Sequence, residues 1–220
     1  MTTLAIDTCE ANCSAAFLMA DGQVFACTEN IGRGHAERLL PMIEELLTEA
    51  SLRYADISRI AVTTGPGTFT GLRIGLSVAR GLALSLGIPC IGVSALTVLA
   101  AQAKAPTGPI HSVIKGRGGQ VFYQAFEGVD AQSVPKPVCD AANLDADDAH
   151  HEIERRSGYV LGSGVSLVMG RETGTADGID TPALARLSLL LAPEDFPPEP
   201  FYLRAADAVK AKPLIKISDK

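Results

Sequence analysis

The chain has 220 residues, 47% of them apolar and 20% charged, which is enough to bury one ordinary core or two small ones and too apolar for general disorder. Its net charge of −6, from 19 Lys and Arg against 25 Asp and Glu, excludes stable nucleic-acid binding by this chain alone, because phosphate contacts need a basic surface. Five scattered cysteines (Cys9, Cys13, Cys27, Cys90, Cys139) make no disulfide scaffold, and with only Met1 to Thr3 ahead of the first strand-like run no secretory leader is expected, so the expected home is a reducing cytoplasm.

Residues 3–7 read as a short buried strand ending in an acid, Asp7. Two further runs, 13–20 and 23–28, flank Asp21-Gly22, a strong hairpin signal, and a tight turn over 9–12 joins them to the first strand. A helix follows. Ala36, Leu39, Leu40, Met42, Ile43, Leu46, Leu47 and Ala50 fall in one arc about 160° wide, and Pro41 inside the pattern predicts a kink or a restart near Leu40.

Residues 60–64 read as a buried strand, Gly65-Pro66-Gly67-Thr68 as a turn, and 69–86 as a second helix stopped by Gly87. That helix is apolar almost all round apart from a strip with Arg73 and Arg80, which predicts cover on both sides. Gly71, Gly75 and Ala79 form a small-residue ridge along it, where another backbone can approach. A strand at 88–93 and a helix capped by Ser94 and running to about residue 103 complete a β-β-β-α-β-α-β-α order. The uncharged run 81–103 has the length of a membrane span, but Gly87-Ile88-Pro89 breaks it, so it reads as two buried elements with a turn between them and no membrane partner is expected.

Residues 104–109 look like a connection. Strands at 110–114 and 120–126 come next, then a polar stretch at 145–156 that reads as a solvated face, a short strand at 159–161 and a helix at 182–191. A proline-marked extended tail leads into Phe201-Tyr202-Leu203-Arg204. The expected division is a first lobe over 1–104 and a smaller second lobe over 105–220, the second a reduced copy of the first.

The chemistry-bearing candidates are few. The loop Gly65-Pro66-Gly67-Thr68-Phe69-Thr70-Gly71 joins a strand to a helix, where phosphate loops sit, but Leu72-Arg73 replaces the Lys-Ser/Thr of a Walker loop and Thr70 replaces a dinucleotide-fingerprint glycine. Taken alone it is a tight structural turn. Asp7 with Thr8 has two readings, a turn cap or an acid that holds a metal or water near phosphates in folds opening with three strands. His35, His111, His150 and His151 make no metal pair and read as neutral and exposed, and Gly162-Ser163-Gly164 is a glycine turn beside a helix start rather than a nucleophile elbow. The surplus apolar surface of the first two helices has two readings as well. Either each covers one face of the sheet, or they meet a partner.

Four runs carry a resemblance: Leu4-Ala5-Ile6-Asp7-Thr8; Gly34-His35-Ala36-Glu37-Arg38-Leu39-Leu40-Pro41; Thr64-Gly65-Pro66-Gly67-Thr68-Phe69-Thr70-Gly71-Leu72-Arg73-Ile74-Gly75; and Gly92-Val93-Ser94-Ala95-Leu96. Together with Tyr202-Leu203-Arg204 they resemble the bacterial TsaB (YeaZ) family over roughly the first hundred residues. The resemblance implies an α/β protein of the actin-like, sugar-kinase and Hsp70 (ASKHA) fold, two lobes with the second reduced. It implies a non-catalytic subunit that binds and activates TsaD for threonylcarbamoyl transfer to the tRNA adenosine beside the anticodon, with TsaE joining the pair, tRNA met only through the complex, and a homodimer when alone.

On that reading the partner interface comprises Leu39, Met42, Ile43 and Leu46 from the first helix with Gly71, Gly75, Val78, Ala79 and Leu82 from the second. Asp7 and Thr8 would be a vestigial nucleotide-binding pair, with an ATP or ADP contact, if any, at a subunit junction. A metal site does not carry over, since of the histidine pair that TsaD-like proteins place on the first helix only His35 is present. Lys115-Gly116-Arg117-Gly118-Gly119 departs from the family's usual Asp-Ala-Arg. The rival readings are a small nucleotide-dependent kinase of the same superfamily and a metal-independent peptidase.

Overall fold

In the computed structural model β1 (Thr3–Asp7) lies at the centre of a five-stranded sheet, and all five of its residues are buried. The model describes residues 1–103, 108–128, 134–171 and 178–203; Arg204 of the tail motif and residues 104–107 of the connection lie outside the described residues. The strands β2 (Asn12–Leu18) and β3 (Val24–Asn30) form the hairpin that Asp21-Gly22 signals, closed by Gly22 N–H donating to Met19 O at 3.0 Å. With β4 (Arg59–Thr63) and β5 (Cys90–Val93) the order is β3-β2-β1-β4-β5, β1 antiparallel to β2 and parallel to β4.

Alternation along β1 sorts the layers. Leu4 and Ile6 face a core completed by α1 (His35–Glu49) and α2 (Phe69–Leu86), while Ala5 faces the opposite core with α3 (Ala95–Gln102). Helix α1 runs through Pro41 without a restart. Helix α2 is not covered on both sides as its composition predicts. It buries Gly71, Leu72, Gly75, Leu76, Ala79 and Ala83 on one face and leaves Leu84 85% exposed on the other.

The second half repeats the plan in reduced form. Strands β6 (Ile110–Lys115), β7 (Gln120–Phe126), β8 (Ala142–Asp145) and β9 (Tyr159–Leu161) take the order β8-β7-β6-β9, with β6 antiparallel to β7 and parallel to β9, as β1 is to β2 and β4. This repeat gives the two-lobed α/β plan, the second lobe reduced, that the sequence predicts. The polar stretch read as a solvated face is α4 (Ala146–Arg156), which buries only Ala149 and Ile153, one turn apart, so its periodicity is too sparse to see in sequence. With α5 (Val165–Met169) it covers the outer face of the second sheet.

The predicted division at 104/105 needs correction at its far end. Helix α6 (Thr181–Ser188) packs on β1, β2 and β4 of the first sheet and joins α3 in the core that lies between the two sheets. Arg59 at the start of β4 caps it, donating to Ser188 O at 2.5 Å and Leu191 O at 3.3 Å. Beyond α6 the chain stays beside the first lobe, since Gly92 N–H donates to Phe196 O at 2.9 Å and Phe201 N–H to Thr64 O at 2.8 Å.

Candidate functional site

The two lobes meet where β1 and β6, their equivalent strands, run out. Asp7 ends β1 only 2% exposed. Its Oδ1 accepts Thr63 Oγ1 at 2.6 Å and the Cys9 N–H at 3.2 Å, the second bond being the short Asx-type closure of a turn, and Cys9 Sγ donates to Thr63 Oγ1 at 3.0 Å. Burial raises the Asp7 carboxyl above its ordinary range, while the Thr63 and Cys9 bonds hold it down. Thr8 is 1% exposed and donates to Gly71 O at 2.7 Å. Both members of the candidate nucleotide pair therefore spend hydrogen-bonding capacity on the chain itself, and the cap reading of Asp7 describes its geometry.

The same bonds explain the glycine ridge. A Cβ added at Gly71 would fall on the Thr8 carbonyl oxygen, and one at Gly75 on Thr8 Oγ1. The backbone that approaches this ridge is the chain's own. The loop before it is likewise a structural turn, with Thr68 N–H donating to Cys9 O at 2.6 Å and the Thr68 side chain capping α2 through Gly71 N–H at 3.3 Å.

The interface set from sequence must be corrected on this point. Leu39, Met42, Ile43, Leu46, Gly71, Gly75 and Ala79 are buried in the chain's own core; Val78 and Leu82 are half-buried against it. A wide apolar arc on α1 and a small-residue ridge on α2 cannot distinguish packing on a sheet from packing on a partner. What the two helices leave open is Leu40, 41% exposed, and on α2 Leu84 with Ser77 and Gly81, flanked by Arg73 and Arg80.

Between the lobes lies a cleft of about 630 Å3, bounded by the 66–70 loop, by Lys115 at the end of β6 with Gly116 and Arg117 after it, and by residues 201–203. At its mouth Tyr202 stacks on Phe69 with ring centroids 5.6 Å apart, Arg73 lies 3.7 Å over the same ring, and Arg73 Nε donates to Tyr202 Oη at 3.2 Å. Glu10, which sequence reasoning did not single out, is on the first-lobe side and reaches across to Ser163. Its one sequence signal is an acid in the turn after a buried strand.

Two histidines depart from the exposed reading. His35 is buried with Nε2 3.1 Å from Asn12 O, and His111 is buried with Nδ1 2.9 Å from Tyr123 Oη. Burial lowers the His111 pKa. Among the described residues no three His, Cys, Asp or Glu side chains gather as a metal site. Among the described residues one helix, α2, is long and apolar enough to cross a membrane by composition, and a third of that window is buried inside the protein (33%).

Comparison with known proteins bears on these observations. Residues 28–154 match the family model for TsaD, tRNA N6-adenosine threonylcarbamoyltransferase. The tRNA threonylcarbamoyladenosine biosynthesis protein TsaB of Escherichia coli is 39% identical over 147 residues, 62% of this chain and 63% of that one. TsaB of Bacillus subtilis is 38% identical over 138 residues, 61% of this chain and 60% of the other. The matched segment thus spans about three-fifths of these curated relatives (63% and 60%). In three dimensions YeaZ from Pseudomonas aeruginosa superposes with a TM-score of 0.74 at 27% identity, covering 92% of this chain and 99% of that one. With more than half its length inside the TsaD family model, the chain belongs to the TsaD family, and these curated relatives and this solved structure, which it resembles, are TsaB (YeaZ) proteins.

Proposed function

We propose that this chain acts in the cytoplasm in tRNA threonylcarbamoyladenosine biosynthesis as a non-catalytic subunit that binds a TsaD protein and activates its transfer of threonylcarbamoyl to tRNA. TsaE joins this pair, and tRNA is met through the complex, in keeping with the chain's net charge of −6. The observation that carries the reading is the contrast at α2. Its inner face and the adjoining Asp7 and Thr8 are consumed by internal contacts, whereas its outer face presents Leu84, 85% exposed, beside the small residues Ser77 and Gly81. A large aliphatic side chain standing among small residues suits a helix that packs closely on another protein. Alone, the chain would use the same face for a second copy of itself.

The test is size-exclusion chromatography with light scattering on this chain, alone and mixed with the TsaD protein of the same organism. A heterodimer peak that replaces a self-associated one is the expected result. Leu84→Asp, at a site with no buried role, should weaken the heterodimer at least tenfold with the melting temperature unchanged. Two independent peaks at concentrations well above micromolar, or a Leu84→Asp variant that pairs like the parent, would remove the reading. Gly75→Leu is unsuitable as an interface probe, since it strikes Thr8 inside the same chain.

A further inference from the structure

Exposed aromatic rings gather around one hollow of the molecule. Phe69 (41% exposed), Phe201 (39%) and Tyr202 (46%) all line the cleft between the lobes. They are held in place rather than loose, because Tyr202 stacks on Phe69 while Arg73 lies over Phe69 and donates to Tyr202 Oη. Phe122, buried in the second lobe, extends the apolar wall.

The cations of the cleft come from the second lobe. Lys115 and Arg117 flank Gly116 in a turn fixed by Gly116 N–H to Gln120 O at 2.8 Å and by Gln120 N–H to Arg117 O at 3.2 Å. Both are exposed and both line the cleft. Among the described residues lining it Glu10 is the only carboxylate, and Glu10 accepts the Ser163 hydroxyl. In a chain of net charge −6, this hollow therefore carries two cations against one acid.

We propose that the cleft is a binding site for a small, flat, apolar molecule carrying a single carboxylate or sulfonate, its rings lying against Phe69, Tyr202 and Phe122 and its anion facing Lys115 and Arg117.

The cleft volume of about 630 Å3 suits a ligand of that size. An uncharged ligand would strip water from Lys115 and give no counter-charge in return. Further negative charge on the ligand is disfavoured, because Glu10 shares the half-enclosed space and like charges repel strongly there. The donors that a phosphate chain would use are also committed elsewhere. Thr68 N–H goes to Cys9 O, Gly71 N–H to Thr68 Oγ1, and Thr8 Oγ1 to Gly71 O. The site is separate from the partner face proposed above, since Leu84 lies about 22 Å from Phe69 by helix rise along α2. It stands or falls without that role.

The test is a fluorescence titration of the full chain with anilinonaphthalene sulfonate, an aromatic monoanion. Saturable binding of one probe per chain is expected, with a dissociation constant of about 10–100 μM. The uncharged N-phenylnaphthylamine should bind at least about tenfold more weakly, as should the sulfonate to a Lys115→Glu variant, while Lys115→Arg should restore binding. Tyr202→Ala should weaken it by about threefold or more. Both Lys115 and Tyr202 are exposed, so these variants leave the core intact. Amide shifts followed by NMR should move over residues 115–122 and 201–203, and excess ADP should not displace the probe. Shifts centred instead on Ser77, Gly81 and Leu84 would put the probe on the outer face of α2 and overturn the site. Equal binding of the uncharged probe, or unchanged binding by Lys115→Glu, overturns the anion requirement. Displacement by ADP overturns the limit to one charge.

Discussion

The two lobes share a strand plan and use opposite chemistry at corresponding places. The first sheet's central strand ends in Asp7, buried and locked by Thr63 and the Cys9 turn; the second sheet's ends in Lys115, exposed at the cleft. The first lobe carries an 18-residue helix, α2, pressed so closely on the Thr8 turn that only glycine fits at Gly71 and Gly75. On the second, α4 buries only Ala149 and Ile153 fully, with Ala146 packed beside them and His150 Nδ1 3.0 Å from Val168 O in α5. The same topology thus supports a closely packed lobe with an exposed outer helix face, and a thinner lobe whose attachment runs through α3, α6 and the cleft. Strand order sets which elements are neighbours, and side-chain size sets how tightly they are held.

The contrast is most easily broken at α2. Gly75→Leu should destabilise the chain by about 3 kcal/mol or more, seen as a lower urea midpoint, because the added side chain meets Thr8 at the end of a central strand. Gly81→Ala, six residues on in the same helix with open space around it, should instead stabilise by up to about 1 kcal/mol. If both variants behave alike, the tight docking of α2 is not what distinguishes the first lobe.

In the second lobe Ile153→Ala should cost about 2–4 kcal/mol, since it empties one of two anchoring positions, and should raise amide exchange in α4 before the first sheet is affected. Uniform loosening of both lobes would mean that the core between the sheets makes them one cooperative unit.

The lobes also answer pH in opposite senses. His111 is lowered by burial, so the stability it supports is complete above about pH 6.5 and is lost as pH falls through its folded-state value. Glu10, raised to about 7, works the other way, contributing more as pH falls from 7 toward its ordinary value. His111→Gln should therefore flatten the acid limb of a stability-versus-pH curve and leave the limb near neutrality in place. The smallest effect is expected at the mouth of the cleft. Tyr202→Ala removes one stacked ring and one hydrogen bond at an exposed site, costing about 1 kcal/mol or less, and should show as faster proteolysis after residue 195 with little change in the melting temperature.

Much of the first lobe was legible in the sequence, because its signals are local. Asp21-Gly22 marks the hairpin, Thr68 and Gly87 bracket α2, and a strong apolar stripe marks α1. The candidate site was legible in its residues but not in its orientation. Asp7 and Thr8 were singled out correctly as the end of a buried strand, yet nothing near them in sequence shows that Thr63 and Gly71, more than fifty residues away, take up their hydrogen bonds. The α4 helix escaped notice because two buried residues in eleven leave almost no periodic signal. Glu10 escaped because its partner Ser163 is 153 residues distant.

By itself, then, the sequence determined the element order, the turn chemistry, the apolar stripes and, through four short runs, the family. Those properties arise from backbone preferences and side-chain spacing within a few residues. Only the tertiary structure decided which face of α2 is spent on its own sheet and which is left exposed, that α6 returns to the first lobe under the Arg59 cap, and that Glu10 meets Ser163 across the cleft. Each of these depends on where a crossover brings distant segments, and a helix stripe or a lone acid has the same local appearance whichever neighbour it finally meets.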